Sequence, residues 1–484
     1  MILHLAKNLT LILCLIAALA ARAQTDVTNA ADAAAADPPR APNKEPQLTM
    51  FDHPANHAWL LSGQANIIFQ ADPPFHSPYE GTNSFIGRGE YKTSLVGTLF
   101  TGLQLHSDAR FNTDAIFDLE STGGRGLSEA LGLAGFTNLD VVRNPNLGSK
   151  PYVARAEIHQ TIGLTSKMTD AQRTQFSLPI TVPERRFELR VGKMSMPDQF
   201  DQNNPGSDSH LQFMNWTVDN NGAWDYAADT RGYTYAATLE YDDGPWTARY
   251  GMGLMPTVAN GINLQSSLRK ARGDNYELDY ARGPLTRWLD PKRQGAIRLL
   301  GFVNHANMGD YRTQNIKALE ERANGNPNAV PVITDHPFGS TVKYGLGLNF
   351  EQELTANLRV FGRFGWNEGQ HESYAYTEVD QTFEVGGDLT GERWSRPNDR
   401  VGLVVVSNAI KRDHQAYLAL GGLGFLLGDG RLNYAREDIV ETYYTAHNWR
   451  GLFSSFDFQF IEHPGYNQDR GPVSVFSVRT HVDF

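Results

Sequence analysis

The chain of 484 residues contains a single cysteine, Cys14, and it lies in an apolar run close to the start. That run, Leu9 to Ala20, follows Lys7 and precedes the small-residue site Ala21-Arg22-Ala23 before Gln24, the pattern of a secretory signal peptide over residues 1–23. Leu11-Ile12-Leu13-Cys14 lacks the small residues that precede a lipidated cysteine, so Cys14 is expected to leave with the signal. An exported chain with no other cysteine forms no disulfide and offers no Cys-ligated zinc site.

Other absences narrow the function classes. Lys and Arg number 43 against 54 Asp and Glu, for a net charge of −11, and no long basic run occurs, so nucleic acid is not an expected partner. The longest apolar stretch after the signal, Tyr417 to Leu427, is well short of the ~18 to 20 residues with which a helix spans lipid. No HExxH, EF-hand or GxSxG motif is present. His53 and His57 are four apart in DHPANH, but Pro54 between them disfavours the helix that zinc would need. Gly421-Gly422-Leu423-Gly424 runs into the hairpin signal Gly428-Asp429-Gly430 rather than the helix a phosphate cradle requires. The carboxylate pairs Asp118 with Glu120 and Glu240 with Asp242 share strand faces but carry nothing that marks a glycosidase. No enzyme activity, cofactor or metal is expected.

What is present is two-residue alternation. In Ala154 to Leu164 one face carries Ala154, Ala156, Ile158, Gln160, Ile162 and Leu164, and the other Arg155, Glu157, His159, Thr161 and Gly163. Phe187, Leu189 and Val191 oppose Arg186, Glu188 and Arg190; Leu358, Val360, Phe364 and Trp366 oppose Arg359, Arg363 and Asn367. Trp246, Ala248, Tyr250, Met252 and Leu254 oppose Thr247 and Arg249, and Phe456, Phe458 and Phe460 oppose Ser455, Asp457 and Gln459. The final segment, VFSVRTHVDF, alternates to its last residue, Phe484, and a strand held to its end needs neighbours on both sides.

A membrane barrel exposes only alternate residues to lipid, so its average hydropathy resembles that of a soluble protein. Aromatic residues expected at strand ends are Tyr91, Phe187, Tyr233, Tyr241, Trp246, Trp366, Trp394, Tyr443 and Tyr444. Short connections such as Asp242–Pro245 and Glu353–Asn357 alternate with long ones such as Asn304–Val342. The expected organisation is a signal peptide at 1–23, a flexible periplasmic leader at 24–58 and a transmembrane antiparallel β-barrel at 59–484, with on the order of 14 to 18 strands. Gly126–Leu139 and Lys317–Ala323 are expected as short helices in loops, folded inward to narrow a channel or capping its rim. Alternation alone nominates Arg155, Glu157, His159, Arg186, Glu188, Arg190, Arg359 and Arg363 as channel-lining, or as members of a salt-bridge ladder that stiffens the wall.

Three blocks then resemble one family. RPNDRVGL (Arg396–Leu403), GGLGFLLGDGRLNYAREDIVETYY (Gly421–Tyr444) and HPGYNQDRGPVSVFSVRTHVDF (His463–Phe484) are similar to the carbohydrate-selective, OprB-like outer-membrane porins, and RVGKMSMPDQFD (Arg190–Asp201) is similar to an earlier wall segment of that family. The resemblance implies sixteen strands, with short periplasmic turns and long extracellular loops, and the last strand pairing with the first. It implies passive diffusion of small sugars across the bacterial outer membrane without a cofactor. It also implies that Phe484 is the aromatic terminus recognised by the barrel-assembly machinery, and that outer-membrane lipid surrounds the wall. The long central loops do not match, so no constriction residue follows from it. Two rival readings are a channel for acidic sugars or other small solutes, and an exported soluble β-sandwich that binds glycans.

Overall fold

The computed structural model describes residues 48–484 apart from 55–56, 142–146, 287, 290–291 and 338, so the expected signal peptide and most of the expected leader lie outside the described residues. Sixteen strands close into one antiparallel barrel, running from Trp59–Asp72 to Val473–Asp483. The first and last strands pair in register from Gln64 opposite Asp483 to Ala71 opposite Phe476. No barrel edge is left to present unpaired backbone to lipid, the condition for a sheet to exist inside a membrane.

Alternation decides which way each side chain points. On Val473–Asp483, Phe476 and Val478 are exposed on the outer wall while Ser477, Arg479 and His481 are buried inside. The same division holds on Arg185–Met194 and Tyr152–Gly163, with Ile158, Leu189 and Val191 outside. One exception is Ala154, fully buried at a register shift opposite Asp118 and Leu119, where one extra residue lets Tyr152 as well as Arg155 serve the interior. Apolar rows that are exposed on the outer wall, rather than meeting face to face in a dry core, rule out the sandwich.

Tight turns join strands at one end. Gly244-Pro245 links Thr234–Asp243 to Trp246–Gly253, with Gly244 at φ +60, and longer connections such as 195–233, 307–340 and 410–436 gather at the other end. Tyr91, Trp246 and Trp394 are exposed at strand ends, and Trp246 packs on Tyr280 with ring centroids 4.5 Å apart. Tyr233 and Tyr443 depart from the expected belt. Both face inward: Tyr233, just ahead of the strand Thr234–Asp243, donates its hydroxyl to Glu120, and Tyr443 packs edge-on against Phe213 on the buried parity of its strand.

At the long-loop end a helix spans Tyr311–Ala323, starting earlier than the expected Lys317 because Asp310 caps it by accepting from Thr313 N–H. It packs on a second helix, Arg412–Ala419, with the Tyr311 ring stacked on His414 at 4.1 Å. This pair caps the rim. Gly126–Leu139, by contrast, contains only the short 3-10 turn Leu127–Glu129 and runs inward, with Leu133, Ala134 and Phe136 fully buried.

Two predictions follow from these contacts. The terminal Phe484 exchanges backbone hydrogen bonds with Gly63, and its ring lies over the spot where a Gly63 side chain would sit. Gly63→Leu therefore expels the ring and should cost about 1–3 kcal/mol of barrel stability, read as a lower temperature for the unfolding-linked gel shift. Burial disfavours a charged His414, but a hydrogen bond to Asp380 and the carboxylate of Glu378 3.6 Å away outweigh it and push its pKa up to about 9. The folded value lies above the ordinary value near 6.5, so this stabilisation is complete below about pH 6.5 and is lost as pH rises through about 9. Proteolysis of the 410–436 segment should accelerate between pH 7 and pH 10, and His414→Gln should remove that pH dependence.

Candidate functional site

The connection between Arg185–Met194 and Thr234–Asp243 does not cover the rim. It folds into the barrel, and nearly all of residues 212–230 are buried. A chain inside a barrel keeps its backbone polar groups only if the wall answers them. Arg363 donates to the carbonyls of Val218, Asp219 and Asp201, at 2.6, 3.1 and 2.9 Å. Arg479 donates to Ser209 and Gln212, Asn349 to Asp201, and Asn367 to Ala223. Glu441 accepts from Met214 and Asn215 N–H, while Trp224 donates its indole N–H to Asn275. These partners sit on strands distributed widely around the wall, so the segment crosses the lumen.

The stretch after Gly126 is held against it. Gln70 and Gln459 both donate to the Thr137 carbonyl, Glu437 accepts from Ala134 N–H, and Trp216 donates its indole N–H to Asn138. Phe213, Val218, Leu127 and Leu133 then pack against Phe361, Val404, Val406, Ile439, Ile461 and Val475 of the inner wall. The interior beside strands 358–462 is therefore filled, contrary to a uniformly wet lumen. Water is left the opposite side, from the wall around His481 and Gln64 round to Gly295–Ala306.

Two neighbouring spaces occupy that side. The larger, about 710 Å³, is lined by Glu120, Tyr152, Arg155, Phe176, Asp198, His210, Trp216, Tyr226, Tyr233 and Tyr376, among others. A smaller one of about 260 Å³ is lined by Glu188, Arg190, Gln199, Thr238, Glu240, Arg249, Asp279 and Arg298, and both are bordered by Asp198 and Gln202. The charges along this wall are paired. Arg155 grips Asp198 with two bonds of 2.7 Å, Arg190 meets Glu157 at 3.0 Å, and Arg186 bridges Glu188 and Asp242 at 2.5 and 2.9 Å. His159 contacts Glu188 at 2.8 Å, and Arg249 reaches Glu277 and Asp279 at 2.6 and 3.1 Å.

Of the eight residues nominated by alternation, Arg155, Glu188 and Arg190 border these spaces. Glu157, His159 and Arg186 belong to the same inner ladder, with Glu157 and His159 buried in it. Arg359 pairs with Asp388 at 2.5 Å, away from the two spaces described. Arg363 is corrected: its side chain is fully buried between Asp201 and Glu384, at 2.9 and 2.7 Å, and holds the inward segment instead of facing water. The sequence reading nominated neither Arg298, visible only as the inward parity of GAIRLL, nor Asp198 and the aromatic cluster, which arrive on loops without periodicity.

Arg363→Met removes the cation between two buried carboxylates and should cost about 3–5 kcal/mol. Its inward segment should loosen, so thermal stability in detergent falls and single-channel conductance becomes larger and noisier.

The structure of Pseudomonas putida OprB at high pH is similar at a TM-score of 0.65 with 17% identity, over 88% of this chain and 94% of that one. The low-pH structure of the same protein aligns at 0.45 with 12% identity, over 88% and 93%. The outer-membrane channel DcaP of Acinetobacter baumannii aligns at 0.47 with 9% identity, over 90% and 100%. No curated protein matches the sequence significantly. The model of the carbohydrate-selective porin, OprB family, matches residues 98–484, and the chain belongs to that family of bacterial outer-membrane porins.

Proposed function

We propose that neutral sugars diffuse passively through the eccentric passage beside Arg155, Arg190, Arg249 and Arg298, and that the inward segment 195–233 sets its bore. The observation that carries this reading is the mixed-sign wall. Arg190, Arg249 and Arg298 stand among Glu188, Asp198, Glu240 and Asp279, so donors and acceptors abound while neither sign dominates. Such a surface exchanges hydrogen bonds with hydroxyl groups without trapping an ion, and weak shared contacts let a solute leave. A channel for acidic sugars would favour an excess of unpaired cations, and the wall arginines described above are paired.

The remaining expectations fit the same scheme. Residues 1–23 serve export, Phe484 serves recognition by the assembly machinery, and the outward apolar rows meet outer-membrane lipid. In planar bilayers the protein should conduct ions weakly, and neutral sugars should block that current in a concentration-dependent way. Block by anionic sugars alone would favour the rival cargo. Arg190→Ala should shift the reversal potential in a salt gradient towards cation preference, because it leaves Glu157 and Glu188 less compensated.

A further inference from the structure

The short-turn end does not hold only tight turns. Residues 164–184, which leave Gly163 at that end, form a small hairpin in which Met168–Asp170 pairs with Thr181–Pro183. Thr174 and Ser177 close its tip with reciprocal backbone hydrogen bonds of 2.9 and 3.4 Å, leaving Gln175 and Phe176 at the turn. The tip folds back into the lumen. Asp114 accepts from Leu178 N–H at 3.2 Å, and the buried Leu178 side chain lies over Gly102, where a Cβ would come within 3.1 Å of it. Arg190 donates to the Phe176 carbonyl at 2.7 Å.

Phe176 thereby reaches the place where the long inward segment comes down from the other end. Arg155 joins them. Its guanidinium lies 4.8 Å from the Phe176 ring centroid and 5.4 Å from that of Tyr233, while two bonds hold Asp198 of the inward segment. A cation stacked on one ring and forked onto one carboxylate fixes both in place. Thr174, Gln175, Phe176, Asp198 and Gln202 all line the larger space at this junction, and Phe176 is only partly buried.

We propose that Phe176 is a specificity-determining residue of the channel, an aromatic wall delivered from the short-turn end that narrows the passage against the inward segment and grips a passing sugar ring. A pyranose has an apolar CH face and a hydroxyl rim. At this junction the ring of Phe176 meets the face while Asp198 and Gln202 take the rim. A hydrated anion gains nothing from the ring, and ions of either sign are hindered by its bulk. The hairpin is pinned through Asp114, Arg190 and Leu178, so the ring stands in the passage without depending on the solute.

This inference rests on the sugar-channel reading, and the test keeps the two separable. Wild type, Phe176→Ala and Phe176→Leu are compared in planar bilayers for single-channel conductance and for current block by a panel of neutral sugars. Phe176→Ala should raise conductance and weaken block by about 2- to 10-fold, the range expected for losing one aromatic contact. Phe176→Leu keeps apolar bulk and should leave conductance near wild type while still weakening block. Unchanged conductance and block in both variants would overturn the proposal, as would failure of both to assemble, since the side chain would then be structural. If no neutral sugar blocks the wild type, the cargo reading fails, yet higher conductance of Phe176→Ala would still place the ring in the passage.

Discussion

A peptide segment can cross the inside of a barrel only if the wall supplies hydrogen-bond partners for its backbone. This requirement organises the protein. Arg363, Arg479, Glu441, Asn349 and Asn367 point inward at the heights where residues 201–223 pass, and each meets a backbone group of that segment. Buried charge is retained because it is paired: Arg363 has Asp201 and Glu384 around it. The wall is thus differentiated. One side is built to hold a loop, with apolar residues filling the gaps, and the other is built to face water.

That asymmetry explains what the sequence disclosed. The barrel was legible because lipid imposes a strict rule on every second residue, and a strict rule leaves a periodic trace. Ile158, Leu189, Phe364 and Phe476 obey it, and so do their inward neighbours. The division of the interior was not legible. Arg155 and Arg363 occupy the same parity and the same apparent class, yet one borders the passage and the other is sealed behind a loop. Nothing within either strand separates them, because the difference lies in what a distant segment brings.

The loops that shape the passage carry their information in single contacts instead of periods. Asp198 matters through Arg155, Trp216 through Asn138 and its stack on Tyr376, and Phe176 through Arg155 and Arg190. The family resemblance was strongest in the C-terminal strands and their connections, where closure and packing restrict the choice of residue. It fades in the loops that narrow the passage, where single contacts replace a shared pattern.

The pairing of Gln64 with Asp483 and of Ala71 with Phe476 joins the first and last strands of the barrel. Val473–Asp483 stands far along the chain from Trp59–Asp72, so the first strand of the barrel waits for a mate that comes long after it. Until then its outward Trp59, Leu61, Ile67 and Phe69 and its unpaired amides are a hazard. Without Val473–Asp483, both Trp59–Asp72 and Leu452–Glu462 would keep an unpaired edge, and the sheet could not seal.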